Sequence, residues 1–197
     1  EDLAYGDQQD ASRAGLRSEY FDHVGRSPEV TRQEGRSFEA LHTVMVERIA
    51  GAVSAVGGNS EEVGVAYIDR CTYVEFVEVL SDPVLTYVFT INPCEGLAVL
   101  AYDQRAVATL TAGKRSSMDK VVAGHLSDVQ ATWAPVCALS FSAARMEDDR
   151  DRMEVGEPDD PVYLVAIDLG LTPASGQIIV CYLSTTIESL LPDMPEV

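Results

Sequence analysis

Residues 72–102 read TYVEFVEVLSDP, VLTYVFTI, NPCEG and LAVLAY in succession, and they decide the fold. Thr72 to Val79 suits a short helix or turn that must stop before Pro83, because a proline pushes the preceding residue out of the helical region. Val84 to Ile91 is dense in β-branched and aromatic side chains, which fit a pleated, half-buried surface. Asn92-Pro93-Cys94-Glu95-Gly96 has the composition of a turn. Leu97 to Tyr102 runs back as a second strand, so the pair is predicted to be a β-hairpin. A hairpin led in by a helix points to an antiparallel sheet carrying helices rather than to parallel βαβ units.

On the N-terminal side, Phe38, Leu41, Met45, Ile49 and Val53 recur at helical steps, which predicts a helix over 31–56 with one apolar stripe. Gly57-Gly58-Asn59 reads as its stop, and Val63 to Tyr67 as a strand. On the C-terminal side, Asp103 to Leu110 is a short helix. A second long helix covers 116–132, with Met118, Val121, Val122, His125, Leu126 and Val129 on one face and Trp133 and Pro135 at its end. Cys137 to Arg145 follows as a strand and Glu147 to Asp160 as a charged loop. Pro161 to Leu169 and Gln177 to Leu183 are two more strands joined by Thr172-Pro173-Ala174-Ser175-Gly176. Ile187, Leu190 and Leu191 belong to a last short helix before Pro192. Helix, strand and hairpin thus occur twice. The pattern predicts an α+β domain of two similar halves sharing one sheet, with the long helices covering it. Residues 1–28 hold few large apolar side chains and are expected to be a flexible tail. The domain then occupies 29–192, and 193–197 form a C-terminal tail.

With 46% hydrophobic and 23% charged residues in 197, the composition is globular and sufficient for one core. A formal net charge of −18 argues against nucleic acid or anionic lipid as a direct partner, since both would be repelled. No apolar run approaches the roughly 20 residues of a membrane helix. Glu1 to Tyr20 has no apolar h-region, so no signal peptide is expected. The chain begins without Met, as a fragment would. Cys71, Cys94, Cys137 and Cys181 are far apart, lie in apolar surroundings and form no C-x-x-C, so the spacing signals neither zinc nor a redox pair, and reduced thiols are expected.

No metal, cofactor or catalytic group is indicated. The run Glu147-Asp148-Asp149-Arg150-Asp151-Arg152 lacks the glycine and terminal glutamate of a calcium loop and reads as a solvated loop. Gly57-Gly58 precedes no phosphate-binding Lys-Ser/Thr. No nucleophile elbow accompanies any Ser/His/Asp set. His23 falls in the tail and His42 on the first long helix. His125, on the apolar stripe of the second, is expected to be a half-buried structural residue.

Thr72, Tyr73, Glu75, Phe76, Leu80 and Pro83 resemble the pattern T-Y-x-E-F-x-x-x-L-x-x-P of the FliM family of flagellar motor switch proteins, and Trp133, Pro135 and Val136 resemble its A-W-x-P-V. Gly96 and Asp103 sit at that family's hairpin, Arg145 and Glu147 at its R-x-E, and Pro158-Asp159-Asp160 at its turn. Gly176, Cys181 and Glu188 fit its closing strand and final helix. Each motif is weak alone, and their order and spacing over residues 24–192 carry the resemblance to the FliM middle domain. It implies a three-layer α/β/α domain related to the CheC-type phosphatases. It also implies a place in the cytoplasmic switch ring of the flagellum, at the inner face of the cell membrane, with FliG and neighbouring FliM copies as partners and no catalysis. The alternatives on the same fold are a chemotaxis regulator that hydrolyses CheY-phosphate and a divergent paralogue with another partner. CheC-type enzymes use an acidic residue with an asparagine three positions later, on one helical face. The two asparagines here, Asn59 and Asn92, have Val56 and Phe89 at that spacing.

By the same resemblance, FliG is expected at the edge between the short helix ending near Leu110 and the second long helix. There Leu110, Thr111, Ala112, Gly113, Lys114 and Arg115 run on without the family's G-G-x-G loop, and further on Leu183-Ser184 replace its Pro-Tyr. Lys114 and Arg115 are cations at a helix start, which the helix dipole mildly disfavours and a partner contact would explain. The family's segment for phosphorylated CheY is not recognisable in residues 1–20, nor is its FliN-pairing domain found by Val197. Those two partners are expected only through regions not recognisable in this chain.

Overall fold

A computed structural model of the chain describes residues 32–55, 63–94, 96–111, 118–170 and 176–190. The two expected tails and the Gly57-Gly58-Asn59 stop lie outside the described residues.

Helix α1 (Arg32–Ala55) buries Phe38, Leu41, Met45 and Ile49, the predicted stripe. Strand β1 (Gly64–Thr72) is longer than expected. The charged pair Asp69-Arg70 does not end it, because the Arg70 guanidinium reaches Glu188 at 3.0 Å and lies over the Tyr163 ring. Thr72 then caps helix α2 (Tyr73–Val79): its hydroxyl accepts from the Glu75 amide while the Glu75 carboxylate accepts from the Thr72 amide at 2.7 Å. The hairpin forms as predicted from β2 (Val84–Asn92) and β3 (Gly96–Asp103), in register from Val84 opposite Asp103 to Ile91 opposite Gly96.

Asp103 caps α3 (Gln104–Leu110) by accepting the Ala106 amide at 2.6 Å. Helix α4 (Met118–Trp133) is followed by β4 (Ser140–Glu147), a single 3-10 turn (Arg150–Arg152), β5 (Pro161–Asp168), β6 (Gln177–Leu183) and the short α5 (Ser184–Ile187). Strand β4 starts later than the predicted Cys137. The chain first makes a turn in which the Val136 and Cys137 amides both donate to the Trp133 carbonyl.

The six strands form one antiparallel sheet in the order β1-β5-β6-β3-β2-β4. The two halves are α1 to α3 and α4 to α5. They share the sheet by exchange: β1 of the first half pairs with the β5-β6 hairpin of the second, and β4 of the second pairs with the β2-β3 hairpin of the first. The two hairpins meet at β3 and β6. On one face α1 and α4, with Ala106 and Leu110 of α3 and Ile187 of α5, pack on Leu85, Tyr87, Phe89, Leu100, Tyr102, Val165 and Val180. On the other face Tyr73 and Phe76 of α2, with Leu80 and Met153, cover Val88, Val99, Leu164 and Cys181. The domain is therefore three layers, α/β/α, the third being thin.

The charged loop 147–160 supplies much of that thin layer through Met153, which lies just beyond the 147–152 run read as solvated. Met153 is buried, the Tyr73 hydroxyl donates to its carbonyl, and Arg150 donates to the Leu80 carbonyl at 3.2 Å. The first amides of α2, Tyr73 and Val74, donate to the Asp160 and Pro158 carbonyls at 2.8 and 3.0 Å. Helix-start amides need such acceptors when water is excluded.

Gly96, at the hairpin turn, is required by a close approach rather than by its dihedrals. A Cβ there would overlap Thr186 Cγ2, Oγ1 and Cβ on α5, and Thr186 is buried with no room to move. Gly96→Ala is expected to lower unfolding stability by about 2 kcal/mol through overpacking, read by urea denaturation. Adding Thr186→Ala, which removes two of the three overlapping atoms, should recover part of the loss.

Candidate functional site

The expected partner edge begins where α3 ends. Leu110 and Thr111 are both buried, and the Thr111 amide and hydroxyl bond the Val107 carbonyl at 3.1 and 2.6 Å. These two residues anchor the edge to the core. Ala112, Gly113, Lys114 and Arg115 lie outside the described residues. The chain re-enters at α4 with Met118 buried and Asp119 in the first turn, where a carboxylate suits the helix dipole. The Tyr87 hydroxyl donates to Asp119 at 3.3 Å, tying the start of α4 to strand β2.

From Asp119 a groove of about 380 Å³ runs along the outer flank of α4, above the terminal strand β4. Val122, Leu126, Phe141 and Ala143 make it largely apolar, with Ser127 and Gln130 toward its far end. The Gln130 side chain accepts the Phe141 amide at 3.3 Å and so covers one backbone donor of the sheet edge. Met146, on the same strand, is 48% exposed. Periodicity identified the core stripe of α4 but not this flank. Its signal was the helical recurrence of the small or polar residues Asp119, Ala123, Ser127 and Gln130.

Both helical histidines are sealed in the core. The expectation that His125 is only half-buried is corrected: it is 2% exposed, and His42 is fully buried. Each meets a tyrosine next to the last residue of a hairpin's second strand. His42 Nδ1 donates to the Phe38 carbonyl at 2.9 Å, so its Nε2 accepts from the Tyr182 hydroxyl at 3.1 Å. The Tyr182 oxygen in turn accepts Trp133 Nε1–H at 3.3 Å. In the other half, His125 Nδ1 bonds the Tyr102 hydroxyl at 3.0 Å with the rings stacked, while its Nε2 is buried without a partner. Burial lowers both imidazoles from 6.5 to about 4, and for His42 the bond to the Phe38 carbonyl opposes that shift. Neither ring reaches solvent to serve as a base. Among the described residues no group of three His, Cys, Asp or Glu side chains is placed to hold a metal ion, and no helix is long and apolar enough to cross a membrane.

No family model matches the chain. The flagellar motor switch protein FliM of Treponema pallidum is 23% identical over 184 residues, covering 84% of this chain. The FliM middle domain of H. pylori superposes with a TM-score of 0.76 at 20% identity, over 84% of this chain and 100% of that one. The fold is that of the FliM middle domain. FliM from a FliG–FliM complex of H. pylori also matches, with a TM-score of 0.74 at 20% identity, over 83% of this chain and 100% of that one. The chain spans about half the length (54%) of the curated T. pallidum FliM it matches. In this FliM middle-domain fold, the two long helices lie together on one face of the sheet, and the thin α2 layer lies on the other.

Proposed function

We propose that the chain is the ring-building middle domain of a flagellar motor switch protein, a non-enzymatic scaffold in the cytoplasmic switch ring at the inner face of the membrane. The observation that carries this reading is the match to the whole of a solved FliM middle domain, joined by a FliM solved with FliG. FliG binds at the edge from Leu110 to Arg115, with Lys114 and Arg115 as its charged contacts. Neighbouring copies touch through the exposed flanks of α1 and α4. Each lateral contact is weak, and the ring supplies avidity. Switching is a small change in packing between subunits, biased by a signal bound elsewhere on the full protein. CheY-phosphate hydrolysis has no support in the residues, because Asn92 ends a strand and Phe89, three positions before it, carries no carboxylate.

Calorimetric titration with the FliG middle domain of the same organism tests the reading. Saturable binding is expected, weakened at least tenfold by Lys114→Glu with Arg115→Glu. Unaltered binding by that variant would move the site away from this edge. No heat up to about 1 mM, a free energy near −4 kcal/mol, would remove FliG as the partner.

A further inference from the structure

We infer that Cys94 and Cys137 form a thiol pair that hydrogen peroxide closes to an intrachain disulfide across the open end of the β2-β4 ladder. The two residues are far apart in sequence, and the register places both at one end of the ladder. Asn92 of β2 lies opposite Ser140 of β4, the last rung of an antiparallel ladder. The chain leaving β2 and the chain entering β4 therefore depart from the same end, Cys94 two residues beyond Asn92 and Cys137 three residues before Ser140. The backbone of Cys137 is pinned there by its amide bond to the Trp133 carbonyl at 3.0 Å. Both side chains are partly exposed and pack against the same apolar cluster. Burial, and then Cys137, raises the Cys94 thiol, which puts the two cysteines within electrostatic range, as Cys71 and Cys181 also are.

The other two cysteines behave differently. Cys71 and Cys181 are buried on the opposite face, and burial pushes the Cys71 thiol up to about 12. Strand β5 separates them, with Cys71 opposite Val162 and Cys181 opposite Leu164. Two strand spacings and a two-residue offset along β5 put their Cα atoms roughly 12 Å apart, beyond the ~7 Å limit for a disulfide. Only the Cys94–Cys137 pair combines access with proximity.

The chemistry needs a peroxide as oxidant. One thiolate attacks a peroxide oxygen, the O–O bond breaks, and a sulfenic acid and one water result. The second sulfur then displaces the hydroxyl as another water and the S–S bond forms. Two thiols are oxidised by two electrons and hydrogen peroxide is reduced to two waters. The link ties the turn of the β2-β3 hairpin to the connection between α4 and β4, so it couples the outer flank of α4 to the sheet edge.

The test uses the full chain, reduced, desalted and dilute, treated with a small excess of hydrogen peroxide and quenched with N-ethylmaleimide. Digestion without reductant combines trypsin with a glutamate-specific protease, because trypsin alone leaves Cys71 and Cys94 on one peptide. The expected result is a Cys94–Cys137 cross-linked peptide as the main disulfide, lost on adding dithiothreitol and absent in Cys94→Ser and in Cys137→Ser. Independent alkylation of both residues after peroxide, bridging between two copies, or a sulfinic acid at Cys94 would each overturn the pair. The wild-type peptide map decides the question even if a serine variant misfolds.

Discussion

Trp133→Ala is expected to lower unfolding stability by about 4 kcal/mol and the melting temperature by roughly 10 °C. The indole is fully buried at the last turn of α4 and packs edge-on against Phe38, His42 and Tyr182, so it joins both long helices to the sheet where α1 and α4 meet. Removing it leaves a cavity whose walls are held by two helices and a central strand, and such walls relax little. Its N–H also starts a relay that runs from Trp133 Nε1 to the Tyr182 hydroxyl, then to His42 Nε2, and from His42 Nδ1 to the Phe38 carbonyl. Trp133→Phe keeps most of the ring and breaks only the first link, so about 1 kcal/mol is expected. Urea unfolding of both variants measures the difference. A loss below 1 kcal/mol for the alanine variant, with an unchanged slope, would mean that Trp133 does not join the helices to the sheet.

The hairpin, the two long helices and their stripes were legible because each is local: Phe38 to Ile49 and Val84 to Tyr102 carry their own periodicity. The exchange of β1 and β4 between halves was not, since nothing near Gly64 specifies a partner strand about a hundred residues away, nor anything near Ser140 one about fifty residues back. Strand β1 was read only as far as Tyr67, yet it runs on through Asp69-Arg70 to Thr72. It is carried through by Glu188 and Tyr163, which come from the other half. The segment 147–160 was legible only as a charged loop, yet the burial of Met153 commits it to the core. At the candidate site, Leu110 and Thr111 looked like an edge by resemblance to a loop, whereas burial makes them its foundation. The groove beside α4 escaped notice because a helix flank that lines a groove differs from a solvated one only by what lies next to it. Here that neighbour is Phe141 on a strand from further along the chain.

Acidification from pH 7 to pH 4.5 is expected to remove several kcal/mol of stability, with His42 and His125 as the main source. Both rings have folded pKa values of about 4 against 6.5 in the open chain, a difference that amounts to about 3 kcal/mol each. A depressed histidine pKa means that the unfolded chain takes up the proton first. Above pH 6.5 neither state binds it and stability is flat; between pH 6.5 and 4 the unfolded state gains; below 4 both states are protonated and the loss stops growing. Asp69 and Asp128 act with the opposite sign. Burial raises both carboxyls, Arg48 partly opposing at Asp128, so their protonation favours the fold and offsets part of the loss at the acid end. Urea unfolding at several pH values should show a slope near 2.7 kcal/mol per pH unit where both histidines titrate only when unfolded, since each contributes about 1.36. His125→Leu should halve that slope. It should cost about 1–2 kcal/mol at pH 7, because the buried Tyr102 hydroxyl loses its partner while the unpartnered Nε2 is removed. An unchanged slope in that variant would mean that the His125 pocket admits water or a proton in the native state, and that His125 is not a source of the acid sensitivity.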